Sequence, residues 1–222
     1  MLRILIGICS TREDTRFLGS FNKFWGEALK KYDITVTWQY NKKLPDAQNA
    51  IAGLFLDGRY DYLLLLDDDH SGHTVEMLDC LVDANTNMAT MRTFSRHYPY
   101  VTAAWNYINE NTTVSIECGD GYVKCDLTGF PMTLISRETF NKLEEPYFRY
   151  YSDGERDWHS DVDFCKRLRN IGIKPIVCFQ YCLNHDKITL ENVNEYRHKE
   201  IAENNGQGWM RVIEEQLTKC KA

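Results

Sequence analysis

The hydrophobic positions in the first third of the chain predict a regular alternation of strands and helices. Residues 2–9 are almost continuously apolar, which predicts a strand buried on both faces, and the cap-type residues after them begin a helix that runs to about Lys31. Residues 34–38 are β-branched and aromatic and predict a second strand, and a helix over 46–56 leads to a third strand over 60–66. This βαβαβ order predicts a parallel sheet with right-handed crossovers, whose ligands bind beyond the carboxyl ends of the strands.

The second half of the chain has a looser pattern. We predict the following elements there: a helix over 74–87, a strand over 100–105, a hairpin that turns at 119–121, a strand over 130–136, a helix over 161–171 and a strand over 173–183. Residues 187–222 predict a helical C-terminal tail, with a break at 204–208. No repeat, linker or second core interrupts the pattern, so residues 1–222 are expected to form a single α/β domain.

The composition narrows the class of protein. The chain is 43% hydrophobic and 26% charged, and no apolar run approaches the roughly 20 residues that a membrane-spanning helix needs. Residues 1–4 lead directly into the first strand without the features of a secretory signal, so a cytoplasmic protein is expected. The net charge of -6 provides no basic surface that would attract nucleic acid.

Eight cysteines are scattered along the chain, several of them inside apolar strand or helix patterns. Such spacing favours free buried thiols over a disulfide framework.

Three consecutive carboxylates, Asp67, Asp68 and Asp69, directly follow the third predicted strand. Adjacent like charges repel one another, and a cation or a hydrogen-bond network offsets that repulsion. Mg²⁺ and Mn²⁺ favour carboxylate and phosphate oxygens, so this run can anchor a metal that also holds a diphosphate. A solvated acidic loop that caps the next helix is the simpler interpretation of the run taken alone.

Asp67, Asp69 and Ser71 also fit the pattern of haloacid-dehalogenase-like phosphatases, in which the first aspartate is the nucleophile. That motif usually follows the first strand of its fold, whereas here it follows the third. A phosphohydrolase that uses Asp67 therefore stays open as an alternative.

The chain resembles the GT-A glycosyltransferases, in particular the family 2-like group, over residues 2–186. Four segments carry the resemblance in the expected order: the first strand and its loop at 6–12, the helix start at 46–51, the D-x-D motif at 66–69, and the segment 160–168 with Gly172, which is similar to a Glu-Asp-x-x-Phe helix. The resemblance implies a single Rossmann-like GT-A domain with a mainly parallel sheet. It also implies transfer of a sugar from a UDP- or GDP-sugar to a glycan or another hydroxyl acceptor.

The same resemblance implies roles for particular residues. Mn²⁺ or Mg²⁺ would be held by Asp67, Asp69 and His185, and Asp161 would be the catalytic base of an inverting reaction. The nucleotide-sugar contacts implied are Ser10, Thr11, Arg12, Gln48, Asn49, Asp67, Asp68, Gly129 and Phe130.

Two positions depart from the pattern of that group. Gln48 stands where an arginine is common, and Ser160 replaces the usual glutamate. These departures keep open a third interpretation, a sugar-nucleotide or divalent-cation binding protein that has the fold without the chemistry.

Overall fold

A mixed sheet of seven strands lies at the centre of the computed structural model, which describes residues 1–10, 14–95, 100–110, 112–152, 154, 157–186, 189 and 191–194. Numbered along the chain, the strands of this sheet are β1 (Arg3–Ser10), β2 (Asp33–Tyr40), β3 (Tyr62–Asp67), β5 (Met88–Arg92), β8 (Tyr122–Lys124), β10 (Met132–Ser136) and β13 (Ile176–Cys182). The shorter strands are β4 (His70–Ser71), β6 (Ala104–Asn109), β7 (Thr112–Ser115), β9 (Leu127–Thr128), β11 (Tyr151–Ser152), β12 (Asp157–Trp158) and β14 (Asn184–His185). The helices are α1 (Thr15–Ala28), α2 (Leu44–Asp57), α3 (Val75–Asp83), α4 (Arg137–Asn141) and α5 (Ser160–Asn170).

The central sheet has the strand order β2-β1-β3-β10-β5-β13-β8. Strand β1 pairs in parallel with β2 and β3, and β5 pairs in parallel with β13, whereas β10 and β8 run antiparallel to their neighbours. The prediction of an α/β fold with a mainly parallel sheet is confirmed. The carboxyl ends of β1, β2, β3, β5 and β13 consequently meet at one edge, which we call the carboxyl edge.

Helices cover both faces of this sheet because the side chains of its strands alternate in direction. On one face Ile4, Ile6 and Ile8 of β1 pack in a buried cluster with α1 and α3, and on the other Leu5 packs in a cluster with α2, α4 and α5. Gly7 allows α2 to approach β1 closely, since a Cβ at that position would lie 2.4 Å from Cγ2 of Ile51. The close packing sets the start of α2 beside the carboxyl end of β1.

In the second half, one strand of the central sheet was not predicted and one predicted hairpin is wrong. Strand β5 was not anticipated, because its short sequence is buried on both sides and carries no alternating pattern. The turn at 119–121 does not form a hairpin: β7 before it pairs with β6, and β8 after it pairs with β13. The turn residues were identified correctly, but the partner strands were decided by contacts far along the chain.

The expectation of free thiols is corrected at one pair of cysteines. Cys80 of α3 and Cys178 of β13 form a disulfide within the core. Their separation of 98 residues gave no local signal of pairing. Among the described residues the remaining cysteines are free: Cys9, Cys118, Cys125, Cys165 and Cys182.

Within the described part of the chain, no helix has the length and apolar character needed to cross a bilayer. The predicted tail over 187–222 lies almost entirely outside the described residues, and the single domain over 1–222 stays a prediction.

Candidate active site

The three aspartates lie at the carboxyl edge, where β3 ends beside β1. The parallel register pairs Cys9 with Asp67. The residues that follow them, Ser10 and Asp68, are therefore also neighbours. The Ser10 hydroxyl donates a hydrogen bond of 2.9 Å to Oδ2 of Asp68. A cavity of about 210 Å³ opens at this point, and its lining residues are Cys9, Ser10, Lys42, Leu44, Asp67, Asp68 and Asp69.

Asp69 lies between two histidines. Its Oδ1 is 2.6 Å from Nδ1 of His70, and its Oδ2 is 3.3 Å from Nε2 of His185. The two imidazole rings stack with centroids 4.2 Å apart. One ligand atom from each of the three residues lies within 4.8 Å of the others, which is a suitable arrangement for a metal ion.

Backbone pairing brings His185 to this cluster. Strand β14 pairs with β4, which sets His185 opposite His70, and the Asp186 N–H donates to the Asp69 carbonyl at 2.7 Å. Arg16 of α1 also donates to the Asp186 carbonyl, at 2.6 Å. The predicted neighbours Asp69 and His185 therefore lie together because a short two-stranded sheet closes over the end of β3.

The orientation of His185 leaves one ring nitrogen directed at Asp69. Nδ1 of His185 lies 2.7 Å from the Phe94 carbonyl, and a carbonyl oxygen can only accept a hydrogen bond, so Nδ1 carries the proton. Without a metal ion, Nε2 donates a hydrogen bond to Asp69; a bound ion would replace that proton and take the lone pair of Nε2. This pattern, with the second nitrogen bonded to a carbonyl, is typical of metal-binding histidines.

The electrostatics of the cluster differ from residue to residue. Burial raises the pKa of the Asp69 carboxyl, but hydrogen bonds from His185 and His70 outweigh it and hold the pKa well below its usual value. Burial, together with the charges of Asp67 and Asp68, raises the pKa of the Cys9 thiol well above its ordinary value. Asp69 is therefore a carboxylate at neutral pH, and Cys9 is a protonated thiol with no nucleophilic character.

Asp161 lies in the first turn of α5, where His159 is the N-cap residue. Its Oδ1 accepts a hydrogen bond from the Val162 N–H at 2.8 Å, and burial raises the pKa of its carboxyl. Its Oδ2 lies 3.8 Å from the point where a Cβ on Gly129 would stand. Since the Pro131 carbonyl accepts from the Asp67 N–H, the segment 129–131 connects Asp161 to the carboxyl edge.

Three other residues predicted to contact the nucleotide sugar make contacts within the fold, and a fourth, Gln48, is buried. Asn49 donates to the Phe148 carbonyl and accepts from the Phe148 N–H, so its amide fastens the segment around Phe148 to α2. The Phe130 ring is buried against Phe148 and Phe164, and the Gly129 N–H donates to the Ala103 carbonyl. Gln48 is buried in α2, and its Oε1 has no hydrogen-bond partner within the part of the chain that the structure describes. Their contacts with a nucleotide sugar stay predictions, as do those of Thr11 and Arg12, which lie outside the described residues.

Sequence reasoning assigned no role to three residues at this site. His70 directly follows the acidic run, and its chemical type was a signal that could have been used. Arg16 and Lys42 gave no such signal, because an arginine in an amphipathic helix and a lysine in a loop are ordinary surface residues. Lys42 adds the one cationic side chain that lines the cavity, among the residues that the structure describes.

The chain is similar in fold to known structures. No protein-family profile matches it, and no curated protein matches it in sequence. Protein A197 from STIV has 14% identity and a TM-score of 0.58, over 83% of this chain and 85% of that one. The structure of GalNAc-T7 with UDP, GalNAc and Mn²⁺ has 11% identity and a TM-score of 0.54, over 83% of this chain and 43% of that one.

This chain thus spans less than half the length of the GalNAc-T7 chain. Identities this low show the fold alone. The protein is an α/β chain with a seven-stranded, mostly parallel sheet, similar in fold to a GT-A glycosyltransferase.

Proposed function

We propose that this protein is a metal-dependent glycosyltransferase that takes a nucleotide-diphosphate sugar as its donor. The observation that carries the proposal is the cluster of Asp69, His70 and His185 beside a cavity at the carboxyl edge of a GT-A-like sheet. In sheets of this type, ligands bind at that edge. GalNAc-T7, which has a similar fold, was solved with UDP, GalNAc and Mn²⁺.

The donor atoms of the cluster suit Mn²⁺ better than Mg²⁺. One carboxylate and two imidazoles form a mixed oxygen and nitrogen set, and imidazole is a better ligand for Mn²⁺ than for Mg²⁺, which prefers oxygen and water. We assign Asp69, His70 and His185 as the residues that hold the ion. When bound, the ion supplies positive charge that stabilises the departing nucleoside diphosphate.

The other polar residues of the cavity are assigned to the nucleotide. Ser10 holds Asp68 in place by a hydrogen bond, and Asp67 is the last residue of β3, where a carboxylate can bind a ribose hydroxyl. Lys42 offers a cation for a phosphate oxygen. The cavity therefore combines groups for both parts of a nucleoside diphosphate.

Asp161 is proposed as the base that accepts the proton of the attacking hydroxyl. Burial raises the pKa of its carboxyl, and a carboxylate with a raised pKa is a stronger base than an ordinary surface aspartate. Its carboxylate lies beside Gly129, in the segment whose Pro131 carbonyl accepts from the Asp67 N–H, and this neighbourhood supports the proposal of a base separate from the donor's phosphates.

The test compares donor binding by the wild type and two aspartate variants. Calorimetry with a panel of UDP- and GDP-sugars in Mn²⁺ should give one donor that binds. That donor should be hydrolysed slowly, with its sugar transferred to water and the nucleoside diphosphate released. Asp69→Ala should abolish the binding that depends on Mn²⁺. Asp61→Asn is the matched control, because Asp61 precedes β3 at the opposite edge of the sheet and bonds there to the Arg3 N–H.

Three other results would contradict the proposal. Unchanged donor affinity in Asp69→Ala would remove the metal assignment. Release of phosphate from p-nitrophenyl phosphate, abolished by Asp67→Asn, would support the phosphohydrolase instead. Donor binding without any hydrolysis or transfer would indicate a binding protein.

A further inference from the structure

Two tyrosines near α5 are exposed although the aromatic run that they end begins against the core. Tyr150 is 56% exposed and Tyr151 is 43% exposed. In the same run the Phe148 ring is 1% exposed, and Tyr147 packs edge-on against Phe140 at 5.1 Å. The core therefore takes the first aromatic residues of the run and leaves the last two at the surface.

The backbone connects these tyrosines to the proposed catalytic base. Strand β11, which contains Tyr151, pairs with β12, and β12 leads directly into the N-terminus of α5. The Tyr150 ring meets the imidazole of His159, the N-cap residue of α5, at 6.2 Å and 78°. Asp161 is two residues further along, so the tyrosine pair and the base are fixed to the same helix start.

An ion pair to a buried carboxylate holds this surface in place. Nε of Arg149 lies 2.9 Å from Oδ2 of Asp163, which is 5% exposed, and the guanidinium lies over the Tyr151 ring at 5.6 Å. An arginine fixed by a buried carboxylate loses little further entropy when a ligand binds beside it. The tyrosine pair is thus positioned before any ligand arrives.

We propose that Tyr150 and Tyr151 form the acceptor subsite and that the acceptor is a carbohydrate. This inference rests on the proposed function. A sugar ring has a face of C–H groups edged by hydroxyls, and that face packs on an aromatic ring while the hydroxyls stay directed to water or to polar groups. One sugar of an oligosaccharide stacks on the tyrosines, and the hydroxyl of the sugar that reacts meets Asp161.

The test measures acceptor binding without donor. Saturation-transfer NMR and calorimetry would use methyl glycosides of glucose, galactose, mannose and N-acetylglucosamine, together with their disaccharides. At least one should bind the wild type, with a dissociation constant that rises about tenfold in Tyr150→Ala or Tyr151→Ala. Tyr150→Phe and Tyr151→Phe, which keep the ring, should restore most of the affinity. Trp25→Ala, which removes a 39% exposed aromatic ring of α1, is the control and should bind like the wild type.

Circular dichroism and thermal unfolding would establish that each variant is folded. If no glycoside binds the wild type while a nucleotide sugar does, the subsite proposal is wrong and the glycosyltransferase remains. If glycosides bind through the tyrosines but no nucleotide sugar binds, the proposed function is wrong, and the tyrosines form a carbohydrate-binding surface that is not an acceptor subsite. Transfer to a serine or threonine peptide that is unaffected by both alanine variants would also overturn the subsite.

Discussion

The two edges of the central sheet both carry charged residues and a cavity, yet they use them differently. The amino edge has the larger cavity, about 550 Å³, lined in part by Arg3, Arg59, Asp61 and Arg137. The guanidinium of Arg137 donates to four backbone carbonyls, those of Phe55, Leu56, Gly58 and Tyr60. The guanidinium thus satisfies the free carbonyls at the end of α2 and in the loop before β3.

The carboxyl edge has a cavity of about 210 Å³, and its charges are arranged in another way. Three carboxylates of the same sign follow one another, and two histidines contact the last of them. Such a concentration of like charge costs stability unless a cation or an ordered network offsets it. A structural cavity is therefore one whose charged groups bond to the backbone, as Arg137 does, whereas a candidate site concentrates charged groups around its opening. The volume of the cavity does not distinguish the two.

The largest effect on chemistry is expected at Asp161. Asp161→Asn keeps the shape of the side chain but cannot accept a proton, so turnover should fall roughly 10²-fold or more. Donor affinity should barely change, because the lost interaction belongs to the transition state. Steady-state kinetics and calorimetry on the same preparation measure the two quantities. Full activity of the variant would remove Asp161 as the base and direct attention to a retaining mechanism.

The largest effect on stability is expected at the opposite edge. Arg137→Met removes the donor to four carbonyls and should lower the free energy of unfolding by about 2 kcal/mol. Urea unfolding measures that loss, and Arg59→Met, at an exposed position of the same cavity, is the control. Donor affinity in Mn²⁺ should stay at the wild-type value. A variant that unfolds normally but loses the donor would reverse the comparison between the two edges.

Variants of the two histidines test whether each of them is a ligand of the metal. His185→Ala and His70→Ala should each weaken Mn²⁺ binding by about tenfold or more, as loss of one ligand or of its positioning does. Neither change should unfold the chain, and thermal unfolding checks this. If Mn²⁺ titration gives full affinity in His70→Ala alone, His70 only orients Asp69. Full affinity in His185→Ala would make His185 a surface residue.

A smaller, pH-dependent effect is expected at His73. Burial, with a further contribution from His70, lowers the pKa of His73 from 6.5 to about 3 in the folded protein. Between pH 6.5 and about 3 the unfolded chain binds a proton at His73 that the folded chain does not. The stability that neutral His73 provides is therefore complete above pH 6.5 and is lost as the pH falls towards 3. Between pH 7 and 5.5 the loss should be about 1 kcal/mol.

His73→Leu should remove that part of the pH dependence. Urea unfolding of both proteins at pH 7 and 5.5 gives the difference. Equal slopes against pH in the two proteins would mean that folding does not lower the pKa of His73.

The parts of the fold that were predicted have signals within a few neighbouring residues. The alternation of the first three strands with helices could be predicted, because apolar runs, caps and turn residues are signals of local structure. Asp14 illustrates this: it caps α1 by accepting hydrogen bonds from the Arg16 and Phe17 N–H groups. Strand β5 and the pairing of β8 were missed, because a short buried strand has no period and its partners lie far along the chain.

The order of apolar and acidic residues was enough to predict that three carboxylates follow a buried third strand, and therefore that charge accumulates where a parallel sheet binds ligands. The side chains that meet Asp69 depend on the folded chain. The pairing of β14 with β4 brings His185 to Asp69 and sets His70 opposite His185. The pairing of β11 with β12 likewise connects the exposed tyrosines to the start of α5. The physical reason is that strand character is encoded locally, whereas the choice of partner is made by hydrogen bonds and packing between residues that are distant in the chain.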